Sequence, residues 1–591
     1  MSTDHDLTVP TTEKRSTMLA PVALSPENRT QALSAMAEGE LDILVIGAGV
    51  VGAGAALDAA SRGLRVGLVE ARDYASGTSS RSSKLVHGGL RYLKQLEFPL
   101  VFEALRERAL ILHTLAPHLA RPVPFLFPLQ RTGFDRLWAG AGIGVYDLLG
   151  AGKGVPGHHR HLGKKKTLKL FRGGKEGAIK GGVLFYEGQL DDARHTMMLS
   201  RTAASYGALC ANSTRVVGFL RDGGKVVGAQ VCDLETGNLI DVRARQVVNA
   251  AGAWTDEIQN MLGGKGKLKV HASKGVHIVV PRDRIPSGVG LITETEKSLL
   301  FIIPCPWSDD FWIIGTTDTT WNLDLAHPAA SSKDIDYILR EVNSLLKRPL
   351  SRDDIVGVFA GLRPLLAGES DDSSTLSREH AVVSPSPGLT IVAGGKYTTY
   401  RVMAKDAIDA ATRDFATPVE PSRTELVPLV GAENYEQMWA ARARLAASAG
   451  ITVERMEHLL RRYGSAVTEI LGLIAENPEL AHPLPGGERY LNAEIVYAVA
   501  FEGALHLDDI LARRTRLSIE TADRGKAAAE FAAKLIASQL GWDQVAVKRE
   551  VEHYTARVDA EIESQRQPDD HTADAARLGA PDVRVSVATT E

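Results

Sequence analysis

Cysteine is scarce in this 591-residue chain: only Cys210, Cys232 and Cys305, odd in number and without C-x-x-C spacing. Neither a disulfide framework nor a zinc site is thereby indicated, and a reducing cytosol suits the chain. Long apolar runs are also lacking. None reaches the roughly 20 residues that a spanning helix requires, so any membrane contact is expected to be peripheral. The N-terminal apolar run at 18–24 is broken by Pro21, which argues against a signal peptide. Neither sign of charge dominates; a net charge of -4 argues against a nucleic-acid partner. With 44% hydrophobic and 24% charged residues the composition is that of a globular protein, long enough for more than one core.

What the chain does contain is the stretch Asp42-Ile-Leu-Val-Ile-Gly-Ala-Gly-Val-Val-Gly52. It reads as a buried strand entering a glycine-rich turn and then a helix over about 50–62. Gly47, Gly49 and Gly52 stand at G-x-G-x-x-G spacing, each with its own reason to lack a side chain: a tight turn, close approach of backbone to a pyrophosphate, and helix–sheet contact. A second strand, Arg65-Val-Gly-Leu-Val-Glu70, ends in an acid suited to a ribose hydroxyl. Together these predict a bound dinucleotide, its phosphates facing the helix N-terminus.

Residues 1–38 read as a disordered tail with a short helix near 25–38. The region 39–414 alternates strands and helices, with a hydroxyl-rich loop at 73–84, a helical pattern over 100–115, a helix over 191–207 and strand-like runs over 216–220, 225–233 and 246–252. Strand-like runs over 271–317 predict an antiparallel sheet roofing the ligand. The apolar stretch 131–150 adjoins a basic one at 151–180. Two readings fit that pair: insertion into the boundary of an anionic membrane, or a buried helix followed by a solvated loop. Amphipathic helices over 435–448, 453–463, 467–476, 493–511 and 522–540 define a separate helical domain, 415–565. It lacks glycine-rich turns and is expected to cover or dock rather than catalyse. Residues 566–591 read as a disordered tail. A second glycine-rich turn, Gly394-Gly-Lys-Tyr-Thr-Thr399, opens a helix whose positive end could stabilise a reduced flavin, which favours FAD over a nicotinamide.

The run Thr78-Ser-Ser-Arg-Ser-Ser-Lys-Leu-Val-His-Gly-Gly-Leu-Arg-Tyr92, with Gly315-Thr-Thr-Asp318, Leu350-Ser-Arg-Asp-Asp-Ile355, Gly361-Leu-Arg-Pro-Leu365 and Gly394-Gly-Lys-Tyr-Thr-Thr-Tyr-Arg401, resembles the FAD-dependent, respiratory-chain-linked glycerol-3-phosphate dehydrogenases over about 40–540. The resemblance implies an α/β FAD-binding domain of glutathione-reductase type, an antiparallel-sheet substrate domain and an all-α C-terminal cap. It implies oxidation of glycerol 3-phosphate to dihydroxyacetone phosphate with electrons passed to a membrane quinone, by a protein held peripherally on the cytoplasmic membrane. Substrate phosphate would meet Arg91, Arg363 and Arg378, with Tyr92 and Thr316 beside them; guanidinium forks suit phosphate. Lys396 would stabilise negative charge near flavin and substrate. His277 matches the active-site histidine and suits a general base, with His87 its competitor. FAD would contact Gly47, Gly49, Gly52 and Glu70, then Thr78, Ser79, Ser83, Lys84 and His87, with Val216, Ala251, Gly252, Lys396 and Thr398 completing the set. The basic insert is heavier than the family pattern requires. An oxygen-using glycerol-3-phosphate oxidase, an amine or amino-acid oxidase of the same superfamily and a non-catalytic flavoprotein are the alternatives. Oligomeric state stays open, a homodimer included.

Overall fold

The computed structural model describes residues 21–89, 97–129, 159–263, 268–295, 299–366 and 380–584. The strand Leu41–Ile46 is buried along almost its whole length and is flanked in parallel by Val66–Val69 and Leu239–Asn249. Apolar residues on both faces are what a parallel strand covered by helices needs. Leu389–Gly394 and Leu209–Ala211 extend the parallel set at either side, and His380–Ser386 closes one edge antiparallel. The helices Val50–Ser61, Asp192–Ser205 and Tyr400–Thr412 pack together over this sheet. A Cβ on Gly52 would lie 1.8 Å from the Gly47 carbonyl oxygen, so the third glycine lets the helix turn directly out of the first strand.

Above it lies the expected roof, a ten-stranded sheet that is antiparallel except where Gly290–Glu294 meets Ala120–Leu129. Its centre is the strand Val270–Pro281, paired along one edge with Gly357–Leu366 and along the other with Phe311–Gly315 and Thr319–Trp321. The two sheets approach each other where Gly357–Leu366 meets Leu389–Gly394. The α/β domain and roof match the expected class, which the glutathione-reductase-type label describes only loosely.

The C-terminal helices form their own apolar cores around Tyr490 and Leu507 and around Leu459 and Tyr497. They are fastened to the rest by buried ion pairs. Arg194 grips Glu502 with two bonds of 2.6 Å; Arg514 does the same to Asp73 at 2.7 and 2.8 Å. The helix expected over 493–511 is interrupted: Asn492–Ala500 ends before Gly503, whose φ of +69° turns the chain so that Glu502 reaches Arg194.

The short helix expected near 25–38 is present, but neither expected tail is disordered over its described residues. Residues Pro26–Glu38 form a helix capped by Ser25, with Ala32, Leu33 and Met36 buried and Arg29 paired to Asp233. Its apolar stripe is narrow enough to look polar in sequence. At the other end, Asp570–Leu578 is a helix, and Arg584 bonds Asp509 at 3.0 Å. Ion pairs anchor this segment, and composition alone does not display them. Residues 1–20 and 585–591 lie outside the described residues.

Candidate active site

Between the two sheets lies a cavity of about 1140 Å³ running from Glu70 and Val216, past Gly49 and Ser79, to His277, Arg363 and Lys396. At its first end the Glu70 carboxylate accepts backbone N–H bonds from Ala48 at 2.8 Å and Arg72 at 2.9 Å. Those bonds lower its pKa, but burial outweighs them and raises it. Val216, Ala251 and Gly252 line the same end. Gly47 holds a φ of +96° beside the Ala250 carbonyl, as a tight turn demands. The hydroxyl of Ser79 accepts from Val50 N at 2.9 Å and so satisfies one free donor of the helix start. Thr78 donates to the Leu362 carbonyl at 2.6 Å, tying the loop to the roof.

The other end is set by strand register. Ser273 pairs with Arg363, Gly275 with Gly361, and His277 with Phe359, so these six share one face of the roof. Two glycines therefore stand between the histidine and the arginine. A Cβ on Gly361 would lie 2.4 Å from the Arg81 carbonyl oxygen, and one on Gly275 would lie 2.5 Å from Arg363 Nη2. The glycine pair makes room for the hydroxyl-rich loop and for the guanidinium. Arg363 donates to Thr316 Oγ1 at 2.9 Å and to the Thr317 carbonyl at 3.1 Å, with Asp318 at 3.5 Å. His277 stacks on Phe359, with ring centroids 4.8 Å apart, and its Nε2 is 2.9 Å from Ser83 Oγ. Burial, then the charges of Arg363 and Lys84, hold its pKa well below the usual histidine value.

Most of the expected cofactor residues converge on this cavity: Gly49, Glu70, Thr78, Ser79, Ser83, His87, Val216, Ala251, Gly252 and Lys396 line it. Lys84 is placed elsewhere. Its ammonium is buried against Asp192, with bonds of 2.7 and 2.8 Å, and holds the loop to the helix Asp192–Ser205. Burial pushes it down to about 8. Thr398 donates to the His87 carbonyl at 3.2 Å and joins the second glycine-rich turn to the loop that carries His87, while Thr316 accepts from Arg363. Arg91, Tyr92 and Arg378 lie outside the described residues. Sequence reasoning missed Phe359, Ser273 and the glycine pair, whose roles depend on register. It also missed Arg72 and Arg557 on the cavity wall, the second on a helix that reads as a cover, and Arg577 and Asp582, which fall in the segment that reads as a tail.

The donor set fits FAD on its own terms: a helix start and glycine turn for a diphosphate, an acid for a ribose, and a long cavity ending beside a cationic cluster. Comparison with known proteins agrees. The FAD dependent oxidoreductase family matches residues 42–401, and the C-terminal domain of alpha-glycerophosphate oxidase matches 422–547. Glycerol-3-phosphate dehydrogenase 2 of Mycobacterium bovis is 55% identical over 565 residues, 96% of each chain. The chain belongs to the FAD-dependent glycerol-3-phosphate dehydrogenase family. A second member, glycerol-3-phosphate dehydrogenase of Mycobacterium leprae, is 54% identical over the same shares. The crystal structure of the Bacillus halodurans glycerol-3-phosphate dehydrogenase complexed with FAD superposes with a TM-score of 0.76 at 30% identity, over 91% of this chain and 98% of that one. In this dehydrogenase, no helix among the described residues is long and apolar enough to cross a membrane.

Proposed function

We propose that this enzyme oxidises the carbon-2 alcohol of sn-glycerol 3-phosphate to the ketone of dihydroxyacetone phosphate and passes the electrons to a membrane quinone. The observation that carries the reading is the shared roof face: a preset guanidinium and a neutral imidazole, separated by two glycines, open on the cavity that begins at Glu70. FAD, when bound, supplies the hydride acceptor. Arg363, fixed by Thr316, the Thr317 carbonyl and Ser273, presents its fork to the substrate phosphate. His277 takes the hydroxyl proton. Its depressed pKa keeps it unprotonated at neutral pH, at some cost in basicity, and Ser83 fixes the ring. Lys396, on the opposite wall, stabilises negative charge developing at the reacting end. By family resemblance, Arg91, Tyr92 and Arg378 complete the phosphate pocket.

Attachment to an anionic membrane surface is supported by the basic insert. From Arg160 to Lys180 every lysine and arginine is exposed, several of them on the short helix Lys164–Leu170. That favours quinone over the oxygen-using alternative, since a membrane-held enzyme meets its acceptor in the bilayer. The test is an anaerobic titration of the purified protein with glycerol 3-phosphate, followed by a quinone in anionic vesicles or by oxygen. Bleaching of the flavin and fast reoxidation by quinone are expected. Bleaching by sarcosine or D-amino acids instead would overturn the substrate, and fast reoxidation by oxygen alone would overturn the acceptor.

A further inference from the structure

Behind the large cavity lies a second of about 100 Å³, and the wall between them is made of three guanidinium groups and the His327 imidazole. Arg81 comes from the hydroxyl-rich loop, Arg557 from the helix Gln544–Ser564 and Arg577 from the final helix; all three line both cavities. Neighbouring charges are already committed. Asp508 lies 2.9 Å from Arg513, and Asp582 lies 2.7 Å from Arg72. Arg81 donates to the Ala326 carbonyl at 3.1 Å. Among the described residues, no carboxylate pairs with Arg81 or Arg557, and Arg577 has Glu561 alone, at 3.3 Å.

Arg557 and Arg577 are 9% and 8% exposed, and Arg557 Nη2 and Arg577 Nε are buried without a hydrogen-bond partner among the described residues. Burial, reinforced by Arg577, pushes both Arg81 and Arg557 down to about 10. Buried cations without counter-charge are costly, and a cluster of them is completed by a dianion able to take several N–H bonds at once. Phosphoryl oxygens match guanidinium forks in spacing and charge.

We propose that Arg81, Arg557 and Arg577 form a phosphoryl-binding site that links the cofactor loop to the C-terminal helices. Because the three side chains face both cavities, the phosphoryl group is either part of the FAD diphosphate, entering from the larger one, or a free phosphate held in the smaller. In both cases the C-terminal segment is part of a ligand site.

The experiment compares wild type, Arg557→Gln and Arg557→Lys in phosphate-free buffer. One arm measures FAD affinity of the apoprotein by quenching of flavin fluorescence. The other measures binding of inorganic phosphate to the holoenzyme by calorimetry. A cofactor role predicts that Arg557→Gln raises the FAD dissociation constant about tenfold or more, with phosphate binding unchanged. A free-phosphate role predicts the reverse, loss of a phosphate site with FAD affinity intact. Arg557→Lys restores part of either effect. Phosphate at the substrate site does not confuse the result, because Arg363 is the same in all three proteins. In both cases apo Arg557→Gln melts no lower than wild type, since the substitution removes an unpaired buried charge. An unchanged response in both arms, or a lower apo melting temperature with both affinities unchanged, overturns the proposal. If Arg557→Gln fails to fold, Arg81→Gln carries the same comparison from the loop side.

Discussion

Replacing Gly275 by alanine tests the geometry of the site without removing any polar group. The new methyl would stand 2.5 Å from Arg363 Nη2 and 2.6 Å from Thr316 Oγ1, too close for either to remain in place. The guanidinium is the end of a flexible side chain and yields first, giving up its 2.9 and 3.1 Å bonds to Thr316 and the Thr317 carbonyl. A fork displaced in this way loses at least one charge-assisted bond to the substrate phosphate, worth about 1.5–3 kcal/mol. The expected result is a fall of about 10- to 150-fold in kcat/KM for glycerol 3-phosphate, carried mainly by KM. Flavin content should hold, because Glu70 and the Gly49 helix start lie at the far end of the cavity. Steady-state kinetics with a soluble acceptor, flavin absorbance and a melting curve measure the three quantities. A change in kcat/KM below about threefold, or a loss matched by missing flavin, would refute the placement of Arg363 as the phosphate ligand.

His277→Asn should lower kcat by about 100-fold or more at unchanged flavin content; undiminished turnover would remove His277 from the proton transfer. Glu502→Gln leaves Arg194 with an uncompensated buried charge and should destabilise the protein by about 3–5 kcal/mol in urea unfolding. A loss under about 1 kcal/mol would show that this pair does not hold the helical domain. Burial pushes His118 and His195 down to about 3, against about 6.5 unfolded. The unfolded chain therefore binds protons first as pH falls below about 6.5, and at pH 5 each histidine should have cost about 2 kcal/mol. His506, raised to about 9 despite its burial by its bonds to Glu235 and Glu550, acts in the opposite sense. Its contribution is full below about 6.5 and fades as pH rises through 9. Urea midpoints at pH 5, 7.5 and 9.5 measure both, and equal midpoints at pH 5 and 7.5 would contradict the histidine assignment.

The motif Gly47 to Gly52, the strand into it and Glu70 were legible because they are local: a strand, a turn and a helix start lie within one short run, and Gly52 answers to Gly47 inside it. The helices Val453–Tyr463 and Val467–Glu476 fall at the bounds their apolar periodicity predicts. Lys84 reads as a cofactor residue in sequence because of the motif it sits in, yet its long side chain turns away to Asp192, a partner 108 positions distant. The final helix reads as a tail because much of its anchoring is by ion pairs, Asp570 to Lys274 and Arg577 to Glu561, with the small Ala573 packed among Trp321, Ala329 and Leu362.

By itself, the sequence determined the glycine turns, the α/β alternation, the helical C-terminal region and the chemistry of the candidate residues, since each depends on neighbours within a few positions or on residue type. Tertiary structure alone decided that Gly275 faces Gly361 and His277 faces Phe359, that Arg363 is steered by Thr316, and that arginines from the last helices meet Arg81. Those facts follow from strand register and from charges paired across hundreds of residues. A one-residue change of register would turn the same side chains to the other face of the sheet without altering a single local pattern.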